Sequence, residues 1–177
     1  MFKKLKEALK IHSIQRKNII LVKKYPFITP IDDLGRRLPK KNYKNYTILD
    51  TMPTGWKIAF GEQLCEDLRF ELLKFGEDSL NSYQIINMNE KYGILRIYDN
   101  GKPNNSRIAD VLDQYSQMSM QTCIVCGKPA KFLAPETDIP YCETCILLLH
   151  LKTSQLAALR LVGESYEEYE ERLLKKD

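Results

Sequence analysis

The sequence predicts an α+β protein: a small antiparallel sheet with two or three packed helices, followed by a C-terminal zinc finger of treble-clef or ribbon-like type. Three observations predict this class. Apolar residues recur at helical spacing after Thr54 and again after Ser106. Between them lies an Ile- and Tyr-rich stretch broken only at Gly93, which is typical of a β-hairpin. Two Cys-x-x-Cys pairs then mark a short metal-binding region.

Charge is unevenly distributed along the 177 residues, whose formal net charge is +4. Up to Lys44 there are thirteen basic residues against three acidic ones, a net +10, so the remainder carries −6. The length suits one domain with an attachment. We predict four parts: a basic segment (1–45), an α+β core (46–120), a zinc finger (121–163) and an acidic C-terminal helix (164–177).

The N-terminal segment predicts little regular structure. Residues 1–10 fit a short amphipathic helix, with apolar side chains on one side and lysines opposite. Residues 18–24 fit a strand or a helix equally well. Residues 25–46 contain three prolines and two basic doublets, which favour extended, irregular chain.

The middle of the chain predicts two helices and a hairpin. Thr54 is a candidate N-cap for a long helix to Phe75, in which Gly61 indicates close packing or a kink. One stripe of this helix is expected in the core, with Cys65 and Phe75 beside it: Trp56, Phe60, Leu64, Leu68 and Leu72. The hairpin should turn near residues 91–93, and Ser106 should cap a helix to Met118. The core-facing side chains of that helix should be Ile108, Val111, Leu112 and Tyr115.

Cys123, Cys126, Cys142 and Cys145 have the spacing of a four-thiolate zinc site, with fifteen residues between the pairs. A structural Zn²⁺ is favoured, because four thiolates leave no ligand position for a reacting water. A four-cysteine iron site and redox disulfides remain alternatives. His150 could replace one cysteine, although a histidine on a helix surface is the favoured interpretation.

The region around these cysteines should contain a hairpin between two knuckles. Residues 131–134 and 139–141 predict short strands joined by a turn over 135–138. The second cysteine pair should open a helix, whose free amides favour thiolates. Further on, residues 154–161 suit a helix, and Ser165 with Glu168 forms a capping box for a last short helix.

Four stretches in this order resemble a group of small, uncharacterised bacterial and bacteriophage proteins. They are Met52-Pro-Thr-Gly-Trp56, Gly61-Glu-Gln-Leu-Cys-Glu-Asp-Leu68, Asn89-Glu-Lys-Tyr-Gly-Ile-Leu-Arg-Ile-Tyr98 and Thr122-Cys-Ile-Val-Cys-Gly127. The resemblance covers residues 45–145 and implies a phage or prophage origin. It implies no established activity and no catalytic residues.

Catalysis is disfavoured by the residues available for it. The only histidines are His12 and His150, and motifs for hydrolytic nucleophiles, phosphate cradling or His-based metal binding are missing from the sequence. The carboxylates of Glu62, Glu66 and Glu71 on one helix are better interpreted as solvated surface. The turn at Glu90, Lys91 and Tyr92, with Arg96 nearby in sequence, is the most chemically mixed stretch, and we predict a non-enzymatic protein.

Two binding functions remain. The preferred hypothesis is docking on a protein partner of unknown identity, such as a host-defence protein that it inhibits, with Trp56, Tyr92, Tyr98 or Tyr115 as anchors. The alternative is binding of DNA or RNA through basic residues interleaved with Tyr25, Phe27, Tyr43 and Tyr46. Those basic residues are Lys23, Lys24, Arg36, Arg37, Lys40, Lys41 and Lys44. A solvated basic tail is the plain alternative to that role.

Metal-type cysteines and the lack of an export-type segment predict a cytoplasmic protein without membrane contact. The longest early apolar run, Ile19–Val22, is too short to span a bilayer. The oligomeric state is left open by the sequence.

Overall fold

The computed structural model describes residues 2–134 and 137–175, and it confirms the α+β class, with several helices and two small antiparallel sheets. The strands are β1 (Ile85–Lys91), β2 (Ile94–Asp99), β3 (Phe132–Leu133), β4 (Pro140–Tyr141) and β5 (Arg160–Leu161). The α-helices are α1 (Phe2–Lys24), α2 (Lys40–Tyr43), α3 (Thr54–Trp56), α4 (Glu62–Leu73), α5 (Glu77–Ser82), α6 (Ser106–Met120), α7 (Glu143–Ile146), α8 (Thr153–Ala157) and α9 (Tyr166–Leu174).

The chain forms two compact units built from interleaved stretches. The helical unit contains the chain up to Met52, Glu62–Met88 and Ile97–Leu112. The cysteine unit contains Pro53–Gly61, Asn89–Arg96 and the chain from Asp113 onward. The four-part division by composition and charge, which concerns the sequence and not this packing, stays a prediction.

In the helical unit, α1 corrects the prediction for the N-terminal segment. The helix spans 23 residues instead of ten, and the ambiguous residues 18–24 are its last turns. The reason is that no Pro or Gly interrupts the chain between Phe2 and Lys24. Pro26 then ends it, because the residue before a proline is restricted to extended backbone.

The segment predicted as irregular chain supplies core residues. It contains a 3₁₀ turn (Pro26–Ile28) and the short helix α2, and Tyr25 and Phe27 are fully buried. The Phe27 ring meets the Tyr83 ring edge-on, with centroids 5.6 Å apart. The side-chain amide of Gln84 donates to the carbonyls of Phe27 (3.0 Å) and Thr29 (2.9 Å). Together these contacts fix the segment in the helical unit.

The long helix predicted after Thr54 is present as consecutive helical turns from Thr54 to Leu73, two residues short of the predicted end. A wide turn in it ends at Gly61, where the sequence indicated close packing or a kink. After α3, residues Lys57–Gly61 form a wide π-helical turn, and α4 begins at Glu62 and ends at Leu73. Pro53, not Thr54, holds the N-cap position. The predicted inward stripe is nevertheless buried at all five positions and Cys65 with it, whereas Phe75 is exposed.

The β1–β2 hairpin turns where predicted, and residues 92 and 93 both have positive φ, 55° and 72°. Two-residue turns with positive φ at both positions match the twist of the flanking strands. A side chain at Gly93 would also overlap the Asp138 carbonyl, which lies in the same unit. Glycine is therefore required there by both conformation and space.

Helix α6 runs two residues beyond the predicted end. The cap is not Ser106, which is the first helical residue: Asn105 Oδ1 accepts from the Arg107 amide at 2.8 Å. Ile108 and Tyr115 are buried as predicted. Val111 and Leu112 are half-buried.

In the cysteine unit, a three-stranded sheet replaces the predicted two-stranded hairpin. The order is β4-β3-β5, with Phe132 opposite both Tyr141 and Leu161. The predicted helix over 154–161 is therefore wrong in its second half, because residues 160 and 161 pair with β3. The predicted turn over 135–138 lies partly outside the described residues.

Glu164 closes the outer edge of β5 and leads into α9. Its carboxylate accepts a hydrogen bond from the Leu161 amide at 2.9 Å. This bond satisfies an N–H group on the side of β5 that faces away from β3. The capping box at Ser165 and Glu168 is confirmed: Ser165 Oγ accepts from the Glu168 amide, and the Glu168 carboxylate accepts from the Ser165 amide. The acidic C-terminal segment therefore forms a helix that begins at the predicted capping box.

None of the described helices has the combined length and apolar character that a membrane crossing requires.

Candidate metal centre

The fold brings the four predicted cysteines together. Their Sγ atoms all lie within 4.8 Å of one another, and those of Cys126 and Cys142 are 3.6 Å apart. A tetrahedron of thiolates around Zn²⁺ at about 2.3 Å would place the sulfurs roughly 3.8 Å from each other. All four cysteines are free, so the arrangement is a cluster of thiols and not a pair of bridges.

The first pair lies in a tight knuckle. The Gly127 amide donates to the Cys123 carbonyl (3.0 Å), and the Cys123 amide donates to the Lys128 carbonyl (2.8 Å). Gly127 has a φ of 76°, and a Cβ there would lie 2.6 Å from the Gly55 carbonyl oxygen. Both conformation and space exclude a larger residue, as expected for a glycine after a metal-binding turn.

Helix α3 clamps this knuckle from outside the cysteine motif. The Gly55 amide donates to the Ile124 carbonyl (2.8 Å), and the Trp56 indole N–H donates to the Thr122 carbonyl (2.8 Å). A Cβ at Gly55 would overlap the Cys123 carbonyl. The Gly-Trp pair thus holds the backbone of the cysteine knuckle, a role that sequence reasoning missed because 66 residues separate Trp56 from Thr122.

The second pair opens a helix, as predicted. Cys142 is the N-cap of the four-residue helix α7, and Cys145 lies within it. Burial alone would raise the pKa of Cys142, but hydrogen bonds from the Cys145 backbone and the Cys126 side chain outweigh it and lower that pKa to about 7. Burial, with hydrogen bonds to the other three thiols, raises the pKa of Cys145 to about 12.

His150 does not join the cluster. It is exposed, has a left-handed φ of 49° and caps the 3₁₀ turn Leu147–Leu149. The four sulfurs are therefore the ligand set that the described residues offer, and such a set binds a soft or borderline cation without leaving a position for water.

The residues predicted to bind nucleic acid are differently placed. Three of the seven are held within the helical unit: Lys24 pairs with Glu66 (2.9 Å), Arg36 pairs with Asp32 (2.8 Å), and Arg37 donates to the Tyr83 carbonyl (2.7 Å) and Gln84. Hydrogen bonds to Tyr25 and Glu66 raise the pKa of Lys24, and burial lowers that of Arg37. Lys23, Lys40 and Lys41 are exposed, and Lys44 is half-buried.

The interleaved aromatics divide in the same way. Tyr25 and Phe27 are fully buried and have no face available for a base, whereas Tyr46 is exposed. The described structure says nothing of the Tyr43 side chain. Two of the four aromatic side chains that the nucleic-acid hypothesis would use for base stacking are therefore inaccessible to a base.

The four candidate protein-binding anchors separate into two pairs. Trp56 and Tyr115 are core residues, with 0% and 1% of their surface exposed. Tyr92 is 74% exposed and Tyr98 is 47% exposed. Tyr92 is the stronger candidate because it stands at the rim of a groove.

This groove of about 390 Å³ lies wholly within the cysteine unit. Its apolar lining includes Ile94, Met120, Leu133 and Val162. Its polar lining includes the ion pair between Arg160 and Asp138 (2.6 Å). The Arg160 guanidinium also lies 4.6 Å from the Tyr166 ring centroid. Sequence reasoning missed this groove, since its lining comes from four separate stretches.

Of the three α4 carboxylates predicted to be solvated surface, Glu66 and Glu71 form ion pairs and Glu62 is exposed. Glu66 accepts from the Tyr25 hydroxyl (2.8 Å) and pairs with Lys24, while Glu71 pairs with Lys74 (2.6 Å).

Comparison of the chain with protein-family models, curated proteins and solved structures finds no match. What the structure establishes is a four-cysteine cluster suited to a metal ion in an α+β protein, and the resemblance to phage-type proteins stays a prediction.

Proposed function

We propose that the chain is a zinc-stabilised, non-enzymatic binding protein that docks on a protein partner through the groove beside Tyr92. The observation that carries the proposal is the four-cysteine cluster, whose two pairs flank the segment that supplies Leu133 and Asp138 to the groove. A metal at the cluster would therefore fix the walls of a binding surface.

Zinc fits the donor set best. Four thiolates at tetrahedral distances are typical of structural Zn²⁺, which contributes on the order of 10 kcal/mol or more to folding in zinc-finger peptides. The strands around the cluster are two residues each, too short to be stable without additional constraint. Free cysteines held in this way also favour a reducing, cytoplasmic compartment.

The groove has the chemistry of a protein-binding anchor site. An exposed tyrosine stands beside an apolar floor and an arginine, and Tyr and Arg are enriched in interface hot spots. A volume of about 390 Å³ is enough for one or two large side chains. The partner would be a host or phage protein, and inhibition of a host-defence protein is the form of docking that the phage-type resemblance favours.

Metal content tests the first half of the proposal. We expect purified protein to contain about one zinc per chain by elemental analysis, and Co²⁺ substitution to give thiolate-to-metal absorption of a tetrahedral site. Cys126→Ser should abolish both signals. The control is Cys65→Ala, which changes a buried cysteine in the helical unit and should leave metal content unchanged.

Partner capture tests the second half. Tagged wild-type protein should retain one stoichiometric protein from a host or infected-host extract, with recovery unaffected by nuclease treatment. Tyr92→Ala should lose it, whereas Tyr98→Ala, which removes the other exposed tyrosine, should keep it. A metal-loaded protein that captures nothing, or that captures equally well without Tyr92, would contradict docking at this groove.

A further inference from the structure

Helix α1 has a first half whose described side chains face solvent. Every described side chain from Lys6 to Ile14 is exposed, and the first buried one is Asn18, followed by Leu21 and Val22. Among the described side chains of this helix, the buried ones therefore begin at Asn18. At about 1.5 Å of rise per residue, the stretch from Lys6 to Lys17, here called the free half, is roughly 18 Å long.

This free half is strongly basic, and three of its lysines share one face. Residues 6–17 contain four basic side chains and one acidic residue, Glu7. Lys10 follows Lys6 by one helical turn, and Lys17 follows Lys10 by two turns, so the three side chains lie in a row along the helix. All three are exposed, and none forms a salt bridge with any described residue.

We infer that the free half of α1 binds double-stranded DNA by lying in the major groove, with Lys6, Lys10, Arg16 and Lys17 on the phosphates. A bare helix is 10–12 Å across, and the major groove of B-DNA is about 12 Å wide. A helix covered on one side by its own protein could enter only in part. This role is independent of docking at the Tyr92 groove, and it uses different cations from those the sequence indicated.

Other polyanions fit this surface less well. A membrane would require the apolar side chains to form one continuous stripe. Among the described exposed residues, however, Ile11 and Ile14 share one side of the helix and Leu9 lies on the opposite side. The major groove of duplex RNA is too deep and narrow for a helix. An acidic protein supplies no regular rows of charge on two sides of a groove, as the two DNA backbones do.

The test is fluorescence anisotropy of full-length, zinc-loaded protein with a labelled 20-base-pair DNA at 50 mM and 200 mM NaCl. Four phosphate contacts give a slope of about −3.6 in a plot of log K against log salt, which corresponds to roughly 100-fold weaker binding at the higher salt. The variant Lys6→Glu/Lys10→Glu/Lys17→Glu should lose at least that much affinity at 50 mM. Circular dichroism and zinc content would show that it is folded.

The matched control is Lys102→Glu/Lys128→Glu/Lys152→Glu, which changes three other exposed lysines by the same total charge. It should reduce DNA affinity less than 10-fold. The inference is overturned if wild-type protein does not bind DNA at 50 mM NaCl, or if both triple variants weaken binding equally. It is also overturned if duplex RNA, phosphatidylserine vesicles or poly-glutamate are bound as tightly as DNA.

Discussion

The two units are held in shape by different means. In the helical unit, Leu64, Leu68 and Leu72 are fully buried along one helix, so apolar packing contributes to its stability without any metal ligand among them. In the cysteine unit, β3, β4 and β5 have two residues each, and a buried cluster in the same unit consists of sulfur: Cys123, Cys142 and Cys145, with Cys126 and Tyr141 packed against it. The comparison teaches that a metal should matter greatly to one unit and little to the other.

Removing the metal should give the largest effect, on the order of 10 kcal/mol for the cysteine unit. We expect a strong chelator to release amide-exchange protection over residues 122–146 while the α4 amides keep theirs. Hydrogen exchange read by mass spectrometry measures both regions in one sample. Equal loss of protection in both units would show that their stabilities are not separate.

Removing a core side chain from the helical unit should destabilise that unit and leave metal binding unchanged. Leu68→Ala removes a fully buried side chain and should cost about 3 kcal/mol, because a cavity is left behind. Chemical denaturation followed by circular dichroism measures the cost. Zinc content should be unchanged, and loss of the metal in this variant would contradict the division.

Features of the structure that depend on local sequence were predictable, and features that depend on distant contacts were not. The inward stripe on α4 and the four ligands were predictable, since both depend on local periodicity or spacing. The strand β5 and the burial of Tyr25 and Phe27 were not, because each is fixed by contacts with residues distant in the sequence. The N-terminal lysines were visible, but the sequence did not indicate which of them the fold occupies.

A substitution at Gly55 tests whether a single residue outside the cysteine motif affects metal binding in the cysteine unit. Gly55→Ala would place a methyl group against the Cys123 carbonyl and should destabilise the cysteine unit by about 2 kcal/mol through forced overpacking. Zinc should also bind more weakly, as competition with a chromophoric chelator would show.

Gly163→Ala is the matched control for that change, since a Cβ there meets open space in the same unit, although its φ of 84° adds some strain. Its zinc affinity should equal that of wild type. If Gly55→Ala keeps full affinity, the clamp from α3 is not part of the metal site.

The smallest effect is expected for an ion pair that stabilises the cysteine unit at a place other than the four cysteines. The Arg172 guanidinium lies 2.6 Å from Glu164, and its hydrogen bonds, although burial opposes them, lower the pKa of Glu164 to about 2. An unfolded glutamate titrates near 4.3, so the folded state favours the ionised form. Its contribution, about 1 kcal/mol, is complete above about pH 5.5 and is lost as the pH falls toward 2.

Glu164→Gln should therefore lower the thermal midpoint at pH 7, and its difference from wild type should shrink between pH 4.5 and pH 3. Glu170→Gln, on the exposed face of α9, should match wild type throughout. Acid also releases thiolate-bound zinc, but it does so in all three proteins, so the differences among them isolate Glu164. A gap between wild type and Glu164→Gln that persists at pH 3 would mean that shape, and not charge, holds this edge of the sheet.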